Sequence, residues 1–274
     1  MEEGLVSVVM PTYNTGAFLA SSIDSILCQT YSNLELLITD DCSTDELTRR
    51  ILSEYAKKDN RVDIVYLNGN HGSGYSRNQS ISRANGQYIT FCDSDDAWHP
   101  EKLERQIRFM KSKDCCLSFS SYYTCDKDDE KTGIVICPKA ITFSELKHDN
   151  KIGCLTAMYD VSKHGKFYMP LIRKRQDWAL FLTIMSKCKV AYGLKMPLAF
   201  YRHRDDSLSH NKLSLIKYNI DVYRFILGYS SLKAFIYFTF IFLPTYTAKI
   251  IKVRYDSHKL IKSKETRPQI VHQY

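Results

Sequence analysis

Several signatures of common protein classes are missing from this sequence of 274 residues. It has 9 cysteines but no C-x-x-C pair, the spacing typical of zinc and redox sites. It has no G-x-x-x-x-G-K-[ST], no complete G-x-G-x-x-G, no G-x-S-x-G and no H-E-x-x-H. These absences argue against P-loop, dinucleotide-binding, serine-hydrolase and zinc-protease sites.

A secretory signal is also lacking. The chain begins Met1-Glu2-Glu3 and continues directly into a strand-like run, without a basic segment followed by an apolar one. We therefore expect a cytoplasmic protein whose cysteines are reduced and mostly buried in the core.

Net charge is absent from most of the chain. Residues 1–210 carry 27 basic and 27 acidic side chains, whereas residues 211–274 carry 11 basic and 3 acidic ones. The whole excess of +8 thus lies in the C-terminal tail. Because the larger part offers no basic groove, we do not expect a nucleic-acid partner.

What is present is an alternation of strand and helix patterns. Short apolar runs at residues 5–10, 34–39, 62–67 and 88–92 predict strands, and amphipathic segments between them predict helices. The spacing of Ser43 and Glu46 is that of a capping box at the start of the second helix. A further helix is predicted over residues 177–187. This order indicates an α/β fold with a mainly parallel sheet, in which ligands bind beyond the carboxyl ends of the strands.

Three carboxylates in four residues follow the fourth predicted strand, in Asp93-Ser94-Asp95-Asp96. Their mutual repulsion would be relieved by a divalent cation, and hard carboxylate oxygens suit Mg²⁺ or Mn²⁺ held together with substrate phosphates. The alternative is an acidic turn that caps the next helix. The cluster alone does not distinguish a metal site from a helix-capping turn.

Other polar residues follow the remaining strands, and each has a structural alternative. Asp41 could bind a ribose or cap a helix, and Arg77 follows a small-residue loop in which the backbone could approach a phosphate. Asp177 could be a helix cap or a general base. Trp178 beside it could stack on a sugar face.

Taken together, six segments in order resemble the family-2 glycosyltransferases of the GT-A fold, over about residues 4–211. They are Val6-Ser7-Val8-Val9-Met10-Pro11-Thr12-Tyr13-Asn14, Asp40-Asp41-Cys42-Ser43-Thr44-Asp45, Arg77-Asn78 with Ala84-Asn85-Gly86-Gln87-Tyr88-Ile89, Phe91-Cys92-Asp93-Ser94-Asp95-Asp96, Arg175-Gln176-Asp177-Trp178, and Pro197 to Arg202 with Ser207-Leu208-Ser209.

The resemblance implies a nucleotide diphosphate sugar, usually of UDP, as donor. The residues expected to bind it are Pro11, Tyr13, Asn14, Asp41, Arg77, Asp93 and Asp95. Asp95 and Asp96 would hold Mn²⁺ or Mg²⁺. Asp177 would be the base of a single inverting displacement, and Gln176, Trp178 and Arg202 would lie on the acceptor side. The similar enzymes are bacterial and build lipopolysaccharide, capsule or lipid-linked glycans, which implies a glycan or lipid-linked acceptor.

The pattern divides the chain into a transferase domain at 1–211 and a helical tail at 212–274. Within the domain, about 1–110 would bind the nucleotide sugar and about 111–211 the acceptor. The uncharged stretch at 234–248 spans only ~22 Å as a helix, and ~20 apolar residues are needed to cross a bilayer. We therefore expect the tail to lie on the anionic surface at the inner face of the cell membrane. The alternative is a tail packed on the domain.

Two other functions remain open. A sugar nucleotidyltransferase of related fold would carry a glycine-rich basic loop after the first strand, where this chain has Pro11-Thr12-Tyr13-Asn14. A catalytically silent nucleotide-sugar-binding protein would keep the fold, but retention of Asp41, Asp95 and Asp177 argues against it.

Overall fold

A computed structural model of the chain describes residues 1–170, 172–203 and 212–265. The predicted motif Ser207-Leu208-Ser209 and the end of the tail at 266–274 lie outside the described residues. The strands are β1 (Glu2–Thr12), β2 (Leu34–Asp40), β3 (Val62–Tyr66), β4 (Gly86–Phe91), β5 (Ala97–Trp98), β6 (Leu117–Cys125), β7 (Lys131–Val135), β8 (Ala140–Thr142), β9 (Met158–Asp160) and β10 (Val190–Arg202).

The helices connect these strands and form the C-terminal tail. They are α1 (Gly16–Leu27), α2 (Glu46–Lys58), α3 (Ser73–Arg83), α4 (Lys102–Lys113), α5 (Phe143–His148), α6 (Val161–His164), α7 (Gln176–Cys188), α8 (Lys212–Asp221), α9 (Ser231–Tyr237) and α10 (Leu243–Glu265). A short 3-10 helix spans Cys154–Thr156, and π-helical turns span Val222–Ile226 and Phe238–Phe242.

One sheet contains the described strands, in the order β3-β2-β1-β4-β9-β6-β10-β5, with β7 paired to β6 and β8 to β10. The first four strands are parallel to one another, and β9 joins β4 to β6 by pairing antiparallel with both. The strand and helix alternation therefore confirms the predicted α/β fold. The sheet is parallel in its N-terminal half and mixed beyond it.

Apolar side chains cover both faces of the sheet. In β1, Val6, Val8 and Met10 enter one core cluster and Val9 enters the other, because successive side chains of a strand point to opposite faces. This two-sided burial explains the continuous apolar run from which β1 was predicted.

The start of α2 differs from the prediction. Asp45 caps the helix by accepting the backbone N–H of Thr48 at 2.8 Å, so the predicted capping box at Ser43 is wrong. The Ser43 hydroxyl instead donates to Asp40 at 2.5 Å and accepts the backbone N–H of Asn14. Ser43 thus ties the end of β2 to the end of β1.

The cysteines are only partly as expected. Cys92, Cys115, Cys125 and Cys137 are buried with free thiols, as predicted. Cys116 and Cys188 form a disulfide, so the prediction that every cysteine is reduced is wrong for this pair. The fold brings the start of β6 and the end of α7 together although they are 72 residues apart, a proximity without a spacing signal.

The C-terminal tail forms a helix from Ser231 to Lys262, which we call the tail helix. By length and composition it could cross a membrane, so the expectation that the apolar segment is too short is wrong. Proline lacks the N–H that a helix interior needs, but the π-helical turn at Phe238–Phe242 precedes Pro244 and the helix continues through it.

One face of the tail helix packs on the rest of the protein. Ala234, Phe238 and Phe242, spaced four residues apart, are almost fully buried in the same core cluster as Trp178. Only 17% of its most apolar 18-residue window is buried, however. The tail is therefore packed on the protein along one face and exposed along the other.

A lysine in the core gives the first testable prediction. Lys102 is fully buried, with its ammonium 3.8 Å from the centroid of the Trp98 ring, and burial lowers its pKa from 10.5 to about 7. Lys102 binds a proton more tightly in the unfolded chain than in the folded protein. The cost of burying its charged ammonium therefore lowers the free energy of unfolding in full below about pH 7, and this cost disappears as the pH rises towards 10.5. We expect Lys102→Met to raise the free energy of unfolding by about 2 kcal/mol or more at pH 6, and by much less at pH 9.

Urea denaturation at the two pH values measures this difference. Lys111→Met, an exposed lysine of the same helix, is the control and should change little at either pH. An effect of Lys102→Met that is equal at pH 6 and pH 9 would contradict the prediction.

Candidate active site

The acidic residues after β4 form a tight loop at the carboxyl edge of the sheet. The backbone N–H of Asp96 donates to the carbonyl of Asp93 at 3.0 Å, and the Asp96 carboxylate accepts the backbone N–H of Arg202 at 3.0 Å. Burial raises the pKa of Asp96 well above its usual value, and the charges of Asp95 and Asp93 raise it further. The loop therefore concentrates negative charge in a poorly hydrated place.

Arg202 lies beneath this loop and does not form an acceptor surface. Its side chain is only 3% exposed; the guanidinium donates to the carbonyl of Asp95 and pairs with Asp129 at 2.6 Å. The prediction that Arg202 lies on the acceptor side is therefore wrong. It holds the acidic loop in place.

The carboxylates fit a divalent cation. Arg77 already neutralises Asp93 through an ion pair of 2.5 Å, which leaves Asp95 and the buried Asp96 as the remaining acidic groups of the loop. Two hard oxygen donors whose mutual repulsion disfavours ionisation are suited to Mg²⁺ or Mn²⁺. Asp95 and Asp96 are thus the residues that would hold the metal.

Arg77 lies on α3, close to the start of α7. A Cβ atom added to Gly74 would come within 2.4 Å of the Gln176 side chain, so the absence of a side chain at Gly74 lets the two helix starts approach. The Gln176 amide donates to the carbonyl of Ile172 at 2.6 Å. The predicted donor-binding and acceptor-side segments are therefore in direct contact.

The residues predicted to hold the nucleotide lie after β1 and β2. Asp41 is buried, and its two carboxylate oxygens accept the backbone N–H groups of His71 and Gly72 at 2.8 and 2.7 Å. It therefore fixes the loop that leads into α3.

Next to Asp41, Pro11 pairs with Thr39 inside the sheet and Tyr13 is exposed. Asn14 has a positive φ of 50°, and its side-chain oxygen accepts the backbone N–H groups of Thr44 and Asp45. The ends of β1 and β2 are thus joined into one rigid rim.

Asp177 lies in the first turn of α7, after Arg175 in a left-handed conformation with φ 65°. Its carboxylate accepts a hydrogen bond of 2.8 Å from the Asn150 side-chain amide. Asp177 is close enough to Arg77 for their charges to interact, and Arg77 is paired with Asp93. The fold therefore brings Asp177 to the same site as the acidic loop.

Trp178 is fully buried and donates its indole N–H to the carbonyl of Leu146 at 2.8 Å. Its ring packs against Tyr223 and Phe242 of the tail. The prediction that Trp178 stacks on an acceptor sugar is therefore wrong, because the aromatic ring belongs to the core.

Two residues near Asp177 have no functional signal in the sequence. Asn150 lies in a segment without clear periodicity, and Lys249 lies in the tail, where it was counted only as part of the basic excess. The Lys249 ammonium is 2.6 Å from the Asp149 carboxylate and 2.8 Å from the carbonyl of Asn150. No spacing within the chain signals these contacts.

Sequence comparisons identify related proteins. Residues 7–167 match the family model described as Glycosyl transferase family 2. TuaG of Bacillus subtilis, named as a teichuronic acid biosynthesis glycosyltransferase, is 41% identical over 80% of this chain and 87% of its own. WfgD of Escherichia coli, named as a UDP-Glc:alpha-D-GlcNAc-diphosphoundecaprenol beta-1,3-glucosyltransferase, is 33% identical over 81% and 86%.

Solved structures share the fold. TarS of S. aureus in complex with UDP-GlcNAc has a TM-score of 0.67 at 20% identity, over 81% of this chain and 65% of that one. The mannosyltransferase PcManGT of Pyrobaculum calidifontis, in complex with GDP-Man and Mn²⁺, has a TM-score of 0.60 at 15% identity, over 95% and 79%. At these identities the likeness concerns the fold.

Proposed function

Because the chain belongs to glycosyl transferase family 2, we propose that it transfers one sugar from a UDP-sugar to a hydroxyl of a glycan or lipid-linked acceptor, with inversion. The observation that carries this proposal is the convergence of Asp177, Arg77 and the acidic loop Asp93–Asp96 at one edge of the sheet. A transferase of this kind needs a base, a donor site and compensation for a leaving diphosphate, and the three groups meet these needs.

In the proposed mechanism Asp177 accepts the proton of the acceptor hydroxyl as its oxygen attacks the anomeric carbon. The new glycosidic bond forms on the face opposite the leaving nucleotide diphosphate, so a single displacement inverts the centre. Mn²⁺ or Mg²⁺ bound by Asp95 and Asp96 would supply positive charge for the diphosphate. Arg77, held by Asp93, adds a fixed positive charge on the donor side.

The named relatives support the substrate classes. TuaG is named for teichuronic acid biosynthesis, and WfgD for transfer from UDP-Glc to a diphosphoundecaprenol-linked sugar. We therefore propose a role in the synthesis of a bacterial surface polysaccharide, at the inner face of the cell membrane.

A screen of purified protein with Mn²⁺ against a panel of nucleotide sugars tests the proposed activity. We expect hydrolysis of one or a few UDP-sugars and little of GDP- or ADP-sugars. Binding of a nucleotide sugar with no hydrolysis and no transfer to any acceptor would instead indicate a silent binding protein. Release of pyrophosphate from UTP and a sugar phosphate would indicate a nucleotidyltransferase.

The exposed residues of the tail helix support a position of the protein on the membrane surface. The tail helix exposes the apolar side chains of Phe235, Ile236, Phe240, Ile251 and Tyr255, and Lys252, Arg254 and Lys259 are exposed along the same helix. Apolar and aromatic groups beside basic ones are suited to the headgroup boundary of an anionic bilayer. Since its other face is packed on the domain, we propose that the helix lies on the membrane.

Full-length protein should therefore sediment with phosphatidylglycerol vesicles and be partly released by high salt. Each basic residue near the surface contributes on the order of 1 kcal/mol, which salt screens, while aromatic burial persists. The double variant Phe235→Ser/Phe240→Ser should lose the salt-resistant part. Tyr66→Ser, an exposed aromatic at the opposite edge strand β3, is the control. Full-length protein that ignores these vesicles would show that the tail is only a packed part of the domain.

A further inference from the structure

Asp177 has a partner whose orientation is set by the fold. The side-chain oxygen of Asn150 accepts the backbone N–H of Ile152 at 3.2 Å, so its amide nitrogen is directed at the Asp177 carboxylate. A hydrogen bond from a neutral amide favours the ionised carboxylate and restricts its rotation. Asn150 thus defines the direction in which the remaining lone pairs of Asp177 point.

The segment that carries Asn150 is itself held by the tail. Asp149 is only 2% exposed, and its carboxylate is ion-paired with Lys249 of α10 at 2.6 Å. The same ammonium donates to the carbonyl of Asn150 at 2.8 Å. A buried carboxylate is costly unless it is paired, so removal of Lys249 would drive this segment to rearrange towards water.

We propose that Lys249 and Asn150 are positioning residues of the transfer reaction. Lys249 holds the segment of Asp149 and Asn150, and Asn150 orients the Asp177 carboxylate towards the acceptor hydroxyl. The inference rests on the proposed role of Asp177 as base. It extends the active site to a helix 99 residues away from Asn150 in the chain.

Two further contacts place the tail against the same part of α7. Phe242 packs on the ring of Trp178, the residue after Asp177, with ring centroids 5.6 Å apart. Tyr223 makes an edge contact with the same ring, with centroids 5.5 Å apart, and donates its hydroxyl to the carbonyl of Lys147. The tail therefore contacts both the helix that carries Asp177 and the segment that carries Asn150.

The test uses full-length Asn150→Ala, Lys249→Met and Lys249→Arg, with Lys252→Met as the control. Lys252 lies about one turn further along the tail helix, is exposed to solvent, and pairs with Asp256 of the same helix. Transfer is measured with a soluble acceptor, so that membrane binding does not enter the rate, and UDP affinity is measured by calorimetry.

Loss of one hydrogen bond to a charged group corresponds to a rate change of about 10- to 100-fold. We expect Asn150→Ala and Lys249→Met to lower kcat by this factor with UDP affinity within about twofold of wild type, and Lys249→Arg to restore most of the rate. If Lys249→Met fails to fold, Asn150→Ala decides alone, because it leaves the ion pair in place.

A double variant separates positioning from a general loss of structure. Adding Asn150→Ala to Asp177→Asn should cause no further loss of kcat, because the base that Asn150 orients is already gone. A kcat of Asn150→Ala within twofold of wild type, or an equal loss in Lys252→Met, would overturn the inference. If Asp177→Asn itself keeps normal transfer, the proposed role of Asp177 as base fails instead.

Discussion

Asp177→Asn is expected to lower kcat for sugar transfer by about 10² to 10⁴ while nucleotide affinity stays near that of wild type. The amide has nearly the shape of the carboxylate. Its oxygen can still accept the hydrogen bond that Asn150 donates to Asp177 at 2.8 Å in the wild-type protein. It cannot take a proton from the acceptor hydroxyl. Initial transfer rates and UDP calorimetry on the same preparation measure the two effects.

Asp160→Asn is a suitable control, because Asp160 caps the short helix α6 through Ser162 and is also an aspartate at a helix start. It should leave kcat within a few-fold of wild type. Normal transfer by Asp177→Asn would mean that another residue is the base. A product with retained anomeric configuration would reject the single displacement.

Removal of divalent metal is the second change with a large expected effect. EDTA should abolish transfer and Mn²⁺ or Mg²⁺ should restore it, because the acidic loop brings Asp95 and Asp96 together while Arg77 offsets only Asp93. Asp95→Asn should lower the rate by about two orders of magnitude or more, the scale of losing a major electrostatic contact. Rates over a titration of each metal measure both effects.

The effects of EDTA and of Asp95→Asn on the transfer rate should not be additive. If Asp95 acts through the metal, wild type and Asp95→Asn should have the same residual rate in EDTA. Full activity of wild type in EDTA would contradict metal dependence. A further loss in Asp95→Asn without metal would assign the carboxylate a separate role.

The N-terminal half of the site could be predicted from the sequence for a simple physical reason. Parallel strands end at a common edge, so acidic residues that follow β2 and β4 must come close wherever the intervening helices are ordinary crossovers. Asp41 and the loop at Asp93–Asp96 were placed in this way. Repetition of a local pattern was sufficient, because each strand and helix is encoded within about a dozen residues.

The rest of the site depends on contacts that no local pattern encodes. Trp178 was expected to face a sugar, but the tail supplies Phe242 and Tyr223 to cover it. Asn150 reaches Asp177 from a segment without helical or strand periodicity. Arg202 was expected on the acceptor side, but its guanidinium is directed by Asp129, which lies 73 residues earlier in the chain. In each case the partner lies far along the chain, and its position follows from tertiary packing.

The pair formed by Lys249 and Asp149 has a consequence for exchange of segments between relatives. In a chimera, a foreign tail that brings an apolar or acidic side chain to Asp149 would leave a buried carboxylate without its cation. Residues 149–152 and the aromatic neighbours of Trp178 would have to be transplanted together with the tail. The tail helix is therefore coupled to the segment that contacts Asp177, and relatives can exchange the two only as one unit.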